Sequence, residues 1–261
     1  MRSKTLDALN KLTACLPLER KPVGIKFLFT KEDYDAFPAP VAKAKMAYCV
    51  MVKIAGNGAC LKADLPLFGC GGGTRALGLE DASPTFGTGE EYHGFGLYSD
   101  LAVARGVADQ VTLCRHRIHG VAVQPLEAYT SCDPDVVILV VNSFAAMRII
   151  QGYTYQYGTQ TQFKLAGNQA VCSECTAYPF ESNSINLSMF CSGTRYLAGW
   201  RETEIGMGLP YGRFLGTCEG VYRSANGAEQ DWRKEGILQN LAQAGLPDPG
   251  LEMGGGYFYQ E

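Results

Sequence analysis

The chain has 261 residues, 19% of them charged and 46% hydrophobic, with a formal net charge of −3. That length supports one large core or two small ones, and the mildly acidic balance without a basic stripe argues against a nucleic-acid partner. No apolar run reaches the roughly 18 residues of a membrane span, so no membrane partner is expected either.

In chain order, residues 5–16 place Leu6, Leu9, Leu12 and Leu16 at helical spacing among charges, which predicts an amphipathic helix and no signal peptide. A cytoplasmic location follows as an expectation. "PVGIKFLFT" (22–30) reads as a buried strand ending at a charged turn. Residues 41–58 show helical apolar spacing, with Cys49 at the edge of that face and "GNG" as the stop. "ACLKADL" reads as a strand, followed by the loop "LFGCGGGTR" (67–75) and a short helix near "TRALGLE".

Residues 82–97, rich in glycine and polar groups, predict a long loop or lid that carries His93. Residues 98–111 form the next helix, capped by Ser99 or Asp100. "GVAVQPL" reads as a strand, and the continuous apolar run "VVILVV" (136–141) as a fully buried one. The helix 143–158 follows, then an alternating strand at 183–190, and helical segments in "GRFLGTCEGVYRSAN" and "DWRKEGILQNLAQAG". The tail "GGGYFYQE" is expected to be peripheral.

The expected fold class is α/β, with mixed sheets flanked by helices. Two α/β halves are expected within one compact unit: residues 1–120 with Cys49 and Cys70, and residues 121–261 with Cys172, Cys175 and Cys191. A pseudo-two-fold repeat is suggested by strand 24–29, helix 42–55, a glycine stop, strand 60–65 and Cys70. The second half answers with strand 135–141, helix 143–156, Gly158, a polar segment and Cys172.

Ten cysteines in a reducing compartment are not a disulfide framework. Cys15, Cys60, Cys114 and Cys132 sit among apolar or ordinary loop residues and read as structural thiols. Cys70 precedes Gly71, Gly72 and Gly73; Cys172 and Cys175 form a C-x-x-C; Cys191 precedes Ser192 and Gly193. Iron–sulfur clusters are commonly held by four cysteine thiolates. Glycine beside a ligand lets backbone N–H groups approach anionic sulfur and lets the loop curl around a bulky guest. Gly71, Gly72 and Gly193 are therefore expected at the cofactor. One C-x-x-C also serves zinc or redox thiols, so zinc and metal-free thiols stay open. Arg75 and Arg195 each follow a candidate cysteine closely, where a guanidinium would stabilise an anionic cluster or carboxylate, or simply pair with Glu204. His116 and His119 lie in a basic edge. No P-loop and no Ser–His–Asp ordering is present.

The succession "KPVGIKF", a cysteine helix, "C-G-G-G-x-x-x-L-G", "VVILVVNSFAAMRIIQ", "AVCSECTAYP", "NLSMFCSGTR" and "ETEIGMGLP" resembles the domain of unknown function 169 family, found mainly in anaerobic bacteria and archaea. The resemblance runs from about residue 20 to 215. It implies Cys49, Cys70, Cys172 and Cys191 as the family's cysteine positions, with Arg195, Glu204 and Pro210 in its closing motif; Cys175 does not match. It also implies an anaerobic cytosolic setting and supplies no substrate. The expected function is binding of an iron–sulfur cluster, [4Fe–4S], by Cys70, Cys172, Cys191 and either Cys49 or Cys175. Its role would be electron transfer, or small-molecule binding or redox chemistry at the cluster. The partner would be an electron-transfer protein or a small molecule, and a homo-oligomer is allowed. The rivals are a zinc-binding or metal-free small-ligand module and a thiol enzyme using Cys70 as nucleophile.

Overall fold

The computed structural model describes residues 2–257; the last four residues of the expected peripheral tail lie outside the described residues. The run at 136–141 is apolar at every position because both faces of that strand are covered. Val136, Ile138 and Val140 enter one core, while Val137, Leu139 and Val141 enter another on the opposite side. It is the fourth of six strands: β1 Val23–Leu28, β2 Leu61–Asp64, β3 Gly120–Pro125, β4 Val136–Val141, β5 Asn186–Ser188 and β6 Ile205–Pro210. They form a single sheet of order β2-β3-β1-β4-β6-β5, antiparallel in every pairing. The α/β class with flanking helices holds, but the sheet is one rather than several, and antiparallel rather than mixed.

The helices are α1 (Arg2–Cys15), α2 (Lys31–Ala36), α3 (Tyr48–Gly56), α4 (Gly71–Ala76), α5 (Pro84–Gly87), α6 (Glu90–Gly94), α7 (Leu101–Gln110), α8 (Ser143–Tyr157), α9 (Tyr178–Ser182), α10 (Ser192–Leu197), α11 (Tyr211–Arg223), α12 (Ala225–Ala228) and α13 (Asp231–Gln243). A π-helix spans Ala170–Ala177.

One face of the sheet packs against α1, α8, α11 and α13, through residues such as Leu12, Ile149, Phe214 and Leu241. Helices α8 and α11 approach so closely at Gly152 and Gly220 that a Cβ on Gly220 would lie 1.9 Å from the Gly152 carbonyl oxygen. Beside that crossing the fully buried Arg148 donates from Nε to Glu229 at 2.7 Å and from Nη2 to the Val221 carbonyl at 3.1 Å. The other face of the sheet packs against α3, α4 and the π-helix, and carries the cysteines singled out above.

Three expectations change. The helix predicted over 41–58 begins only at Tyr48. Its first turns are drawn out instead along the sheet edge, by bridges Val41–Lys62 and Met46–Phe68; tertiary pairing overrides the local pattern. The loop at 82–97 contains the short helices α5 and α6. The segment "IGMGLP", read only as part of a motif, is β6 and lies inside the sheet. Its glycines hide its strand character. A Cβ on Gly208 would lie 2.0 Å from the Cys175 carbonyl oxygen, so the π-helix can sit on β6 only where side chains are missing.

The repeat suggested from sequence does not hold in the register read there, because it aligned Cys70 with Cys172. In the sheet, exchanging β1, β2 and β3 for β4, β5 and β6 maps the strand order onto itself reversed. In that register Cys49 and Cys172 both lie between the first and second strands. Cys70 and Cys191 both lie between the second and third. The boundary expected at 120/121 falls at the first residue of β3, which pairs with β1 and β2.

Candidate functional site

The cysteine-bearing segments are drawn together by backbone contacts. Gly69 N donates to Met46 O at 2.8 Å, and Met46 N donates to Leu67 O at 3.0 Å, zipping the Cys70 loop to the residues just ahead of Cys49. Gly73 then packs face to face with Tyr48, where a Cβ would lie 3.2 Å from the tyrosine Cβ. Cys49 is the second residue of α3, Cys70 caps α4, and Cys191 caps α10. Cys172 is the third residue of the π-helix. All four line one cavity of about 480 Å³, together with Gly71, Gly72 and Gly193.

The thiols are close enough to feel one another. Burial pushes the Cys49 thiol up to about 11, with the Cys191 and Cys70 sulfurs adding to the rise. Burial, then Cys70, Cys191 and Cys49, push the Cys172 thiol well above its ordinary value. Burial and the neighbouring sulfurs therefore discourage Cys49 and Cys172 from ionising, a penalty that a bound cation would remove. Thr194 partly answers it: its backbone N–H donates to Cys191 Sγ at 3.3 Å, and its hydroxyl also acts on Cys49. The expected approach of backbone N–H to sulfur is thus made at Thr194, one residue beyond Gly193. A Cβ on Gly72 would meet Gln169 Cγ at 3.4 Å and Cys70 Sγ at 3.7 Å, ordinary contact distances, so nothing there demands a glycine.

Two expected site residues lie elsewhere. Cys175 is fully buried, and its sulfur and carbonyl pack on Gly206 and Gly208 of β6. In an α-helix, residues i and i+3 share a face; the wider π-turn rotates them apart, so Cys172 meets the cavity and Cys175 meets the sheet. Arg195 is also turned away. It donates to the carbonyls of Met189 (2.8 Å), Glu204 (3.0 Å) and Arg201, and lies over the Phe190 ring. Arg195 therefore meets Glu204 through its backbone; the Glu204 carboxylate pairs with Arg20 at 2.7 Å and with Arg201. His93 is exposed, and among the described residues no histidine lines the cavity.

Arg75 does reach the cavity wall. Its Nε donates to Gln169 Oε1 at 3.1 Å, while its two terminal nitrogens grip Glu91 on α6. Gln169 Oε1 also accepts from Tyr92 OH at 2.7 Å, and Gln169 Nε2 donates to Gly72 O at 3.1 Å. One amide thus ties the Cys70 loop, the lid and the entry to the π-helix together. Gln169 is held at φ 49°, ψ 45°, a left-handed conformation that costs a non-glycine residue about 1–3 kcal/mol. Its hydrogen bonds offset that strain. Phe190, immediately before Cys191, is likewise left-handed at φ 66°.

Gln169, Tyr92, Glu91 and Thr194 were not legible as site residues from composition or spacing. One signal could have found Thr194: Cys70 opens "CGGGTRALG" and Cys191 opens "CSGTRYLAG". Cys49 and Cys172 likewise stand in "AYC" and "AVC".

Among the described residues no three His, Cys, Asp or Glu side chains lie close enough together to hold one metal ion. All ten cysteines are free. No helix among the described residues is long and apolar enough to cross a membrane.

The fold and site define an antiparallel α/β protein with four cysteines facing one cavity. The family model described as "Uncharacterised ArCR", domain of unknown function 169, matches residues 11–220, and the chain belongs to that family. It is similar to uncharacterized protein MJ0308 of Methanocaldococcus jannaschii, 25% identical over 202 residues, covering 77% of this chain and 86% of the relative. No solved structure matches.

Proposed function

We propose that the chain binds an iron–sulfur cluster, [4Fe–4S], through Cys49, Cys70, Cys172 and Cys191, in the cytoplasm of an anaerobic cell. The observation that carries this is that four cysteines from four separate segments line one cavity. One further feature supports it: burial and the neighbouring sulfurs hold the Cys49 and Cys172 thiols protonated, a penalty that a bound cation would remove.

When bound, the cluster would supply one-electron chemistry, for transfer to a protein partner or for a small molecule beside it. The chain's own residues hold the ligand loops. Gln169 fixes the Cys70 loop against the π-helix, Thr194 N donates to Cys191 Sγ, and the Thr194 hydroxyl favours thiolate at Cys49. The thiol-enzyme alternative lacks a base: no histidine lines the cavity among the described residues, and Glu91, the carboxylate on its wall, is held by Arg75. Iron and acid-labile sulfide per chain, measured after oxygen-free purification, test the proposal. Stoichiometric iron and sulfide with broad visible absorption are expected; a colourless, iron-free protein would overturn it.

A further inference from the structure

We infer that the same cavity takes a small, uncharged ligand with an apolar body and one hydrogen-bond acceptor, held beneath the lid. This deepens the function proposed above, and the ligand's place beside a cluster rests on that reading.

The two cysteine segments share a sequence pattern but differ in the length of chain beyond it. After "CSGTR", only residues 196–204 separate Arg195 from β6. After "CGGGTR", residues 76–119 intervene before β3, and they contain α5, α6 and α7. This added segment supplies Glu91, Tyr92, Phe95 and Leu97 to the cavity wall. Closing a cluster binding site needs no such addition, because the segment around Cys191 does without one. The cavity, at about 480 Å³, also lies within the roughly 300–1,000 Å³ of small-molecule pockets.

The wall chemistry specifies the ligand. Arg75 and Glu91 are the charged residues lining the cavity among the described residues, and each neutralises the other. No net charge remains to receive an anion, and thiolates on the floor would repel one. The rim is apolar: Phe95, Leu97 and Leu197 are 53%, 55% and 63% exposed. Exposed apolar side chains gathered at a cavity mouth mark a place where an apolar body enters. The polar address is Asn168, which lines this cavity and also the adjoining one beside Thr112 and Ser173. Its Oδ1 accepts from Gln169 N at 2.9 Å, but its buried Nδ2 has no hydrogen-bond partner among the described residues. A ligand carbonyl would satisfy that donor once the amide turns Nδ2 into this cavity.

Fluorine NMR titration of the full chain with para-fluorobenzamide, para-fluorobenzoate and para-fluorophenyl phosphate tests this, on protein as purified without oxygen and after iron removal by chelator. The neutral amide is expected to bind saturably in both samples. The two anions should bind about tenfold more weakly or worse, since an uncompensated buried charge is strongly disfavoured. Asn168→Leu and the rim variant Leu97→Asp should each weaken the amide about tenfold while iron per chain stays unchanged. The inference is overturned if the amide fails to bind, if an anion binds as tightly, or if both variants leave its affinity intact. Iron content alone decides the cluster proposal, and probe binding to the iron-free sample alone decides this one.

Discussion

The two faces of the sheet are made from the same strands and put to opposite uses. At the centre of the helical face the packing is tight: α8 and α11 touch at Gly152 and Gly220, and Arg148 and Glu229 are buried against each other. On the cysteine face, the packing stops short and leaves a cavity. Four thiols line it, a left-handed glutamine is braced beside it, and residues 91–97 supply Glu91, Tyr92, Phe95 and Leu97 to its wall. Since neighbouring residues on each strand alternate between these faces, a single strand such as β4 serves both. The contrast implies that stability and ligand binding are separable by mutation.

The largest effect expected is on bound iron. Cys172→Ser or Cys70→Ser should weaken metal affinity by more than the roughly 10–100-fold that losing an outer-shell partner costs, because a ligand itself is removed, and so should leave the purified chain depleted of iron. Unfolding of the iron-free proteins should barely change. Iron analysis paired with urea unfolding checks both statements. On the opposite face the pattern should reverse. Glu229→Ala leaves the fully buried Arg148 without its carboxylate and should destabilise the chain by about 3–5 kcal/mol. Iron per folded chain should not move. If iron fell along with stability, the two faces would not be independent.

How far this division was legible in the sequence depends on what each feature rests on. The buried strand at 136–141 announces itself, since only a strand covered on both sides is apolar throughout. The cap at Asp100 and the helix after it follow from local chemistry, and Asp100 accepts from Val103 N at 2.9 Å as a cap should. β6 was not legible because its decisive residues, Gly206 and Gly208, are defined by the π-helix pressed on them. Cys70 and Cys191 were legible from the glycines that follow them and Cys172 from its C-x-x-C, whereas Cys49 and Cys175 stood as alternatives and only the family resemblance favoured Cys49. Gln169 was not, because its importance comes from three partners far away in sequence: Gly72, Arg75 and Tyr92. Arg195 misled for the converse reason. Its sequence setting copies that of Arg75, yet its partners are carbonyls of its own neighbourhood.

A smaller effect is expected from pH. Cys15, on the helical face, is buried, and this pushes its thiol from 9.0 up to about 12. The unfolded chain then releases this proton before the folded one does. Its contribution to stability is complete below about pH 9 and is lost as pH rises toward 12, amounting to about 2 kcal/mol by about pH 10.5. Replacing the thiol by Cys15→Ala should flatten that alkaline limb of the stability curve, as measured by urea unfolding across pH. The cavity thiols should behave in the opposite sense once metal is bound. Protons then compete with iron for sulfur, so iron should be lost on acidification.

The smallest effect is also the sharpest test of the boundary between the two regions. Cys172 and Cys175 are three residues apart in one π-helix, and a C-x-x-C would ordinarily place both sulfurs on one metal. Here Cys172 faces the cavity while Cys175 packs on β6, where a Cβ at Gly206 would come within 2.8 Å of its sulfur. Cys175→Ala should therefore act as a small core truncation, costing about 1 kcal/mol in urea unfolding, with iron per chain unchanged. Iron loss matching that of Cys172→Ser would mean that the π-helix turns its other edge to the metal. The bare position at Gly206 would then rest on the Phe190 ring, whose Cε1 lies 2.5 Å from where its Cβ would be, and that at Gly208 on the Cys175 backbone alone.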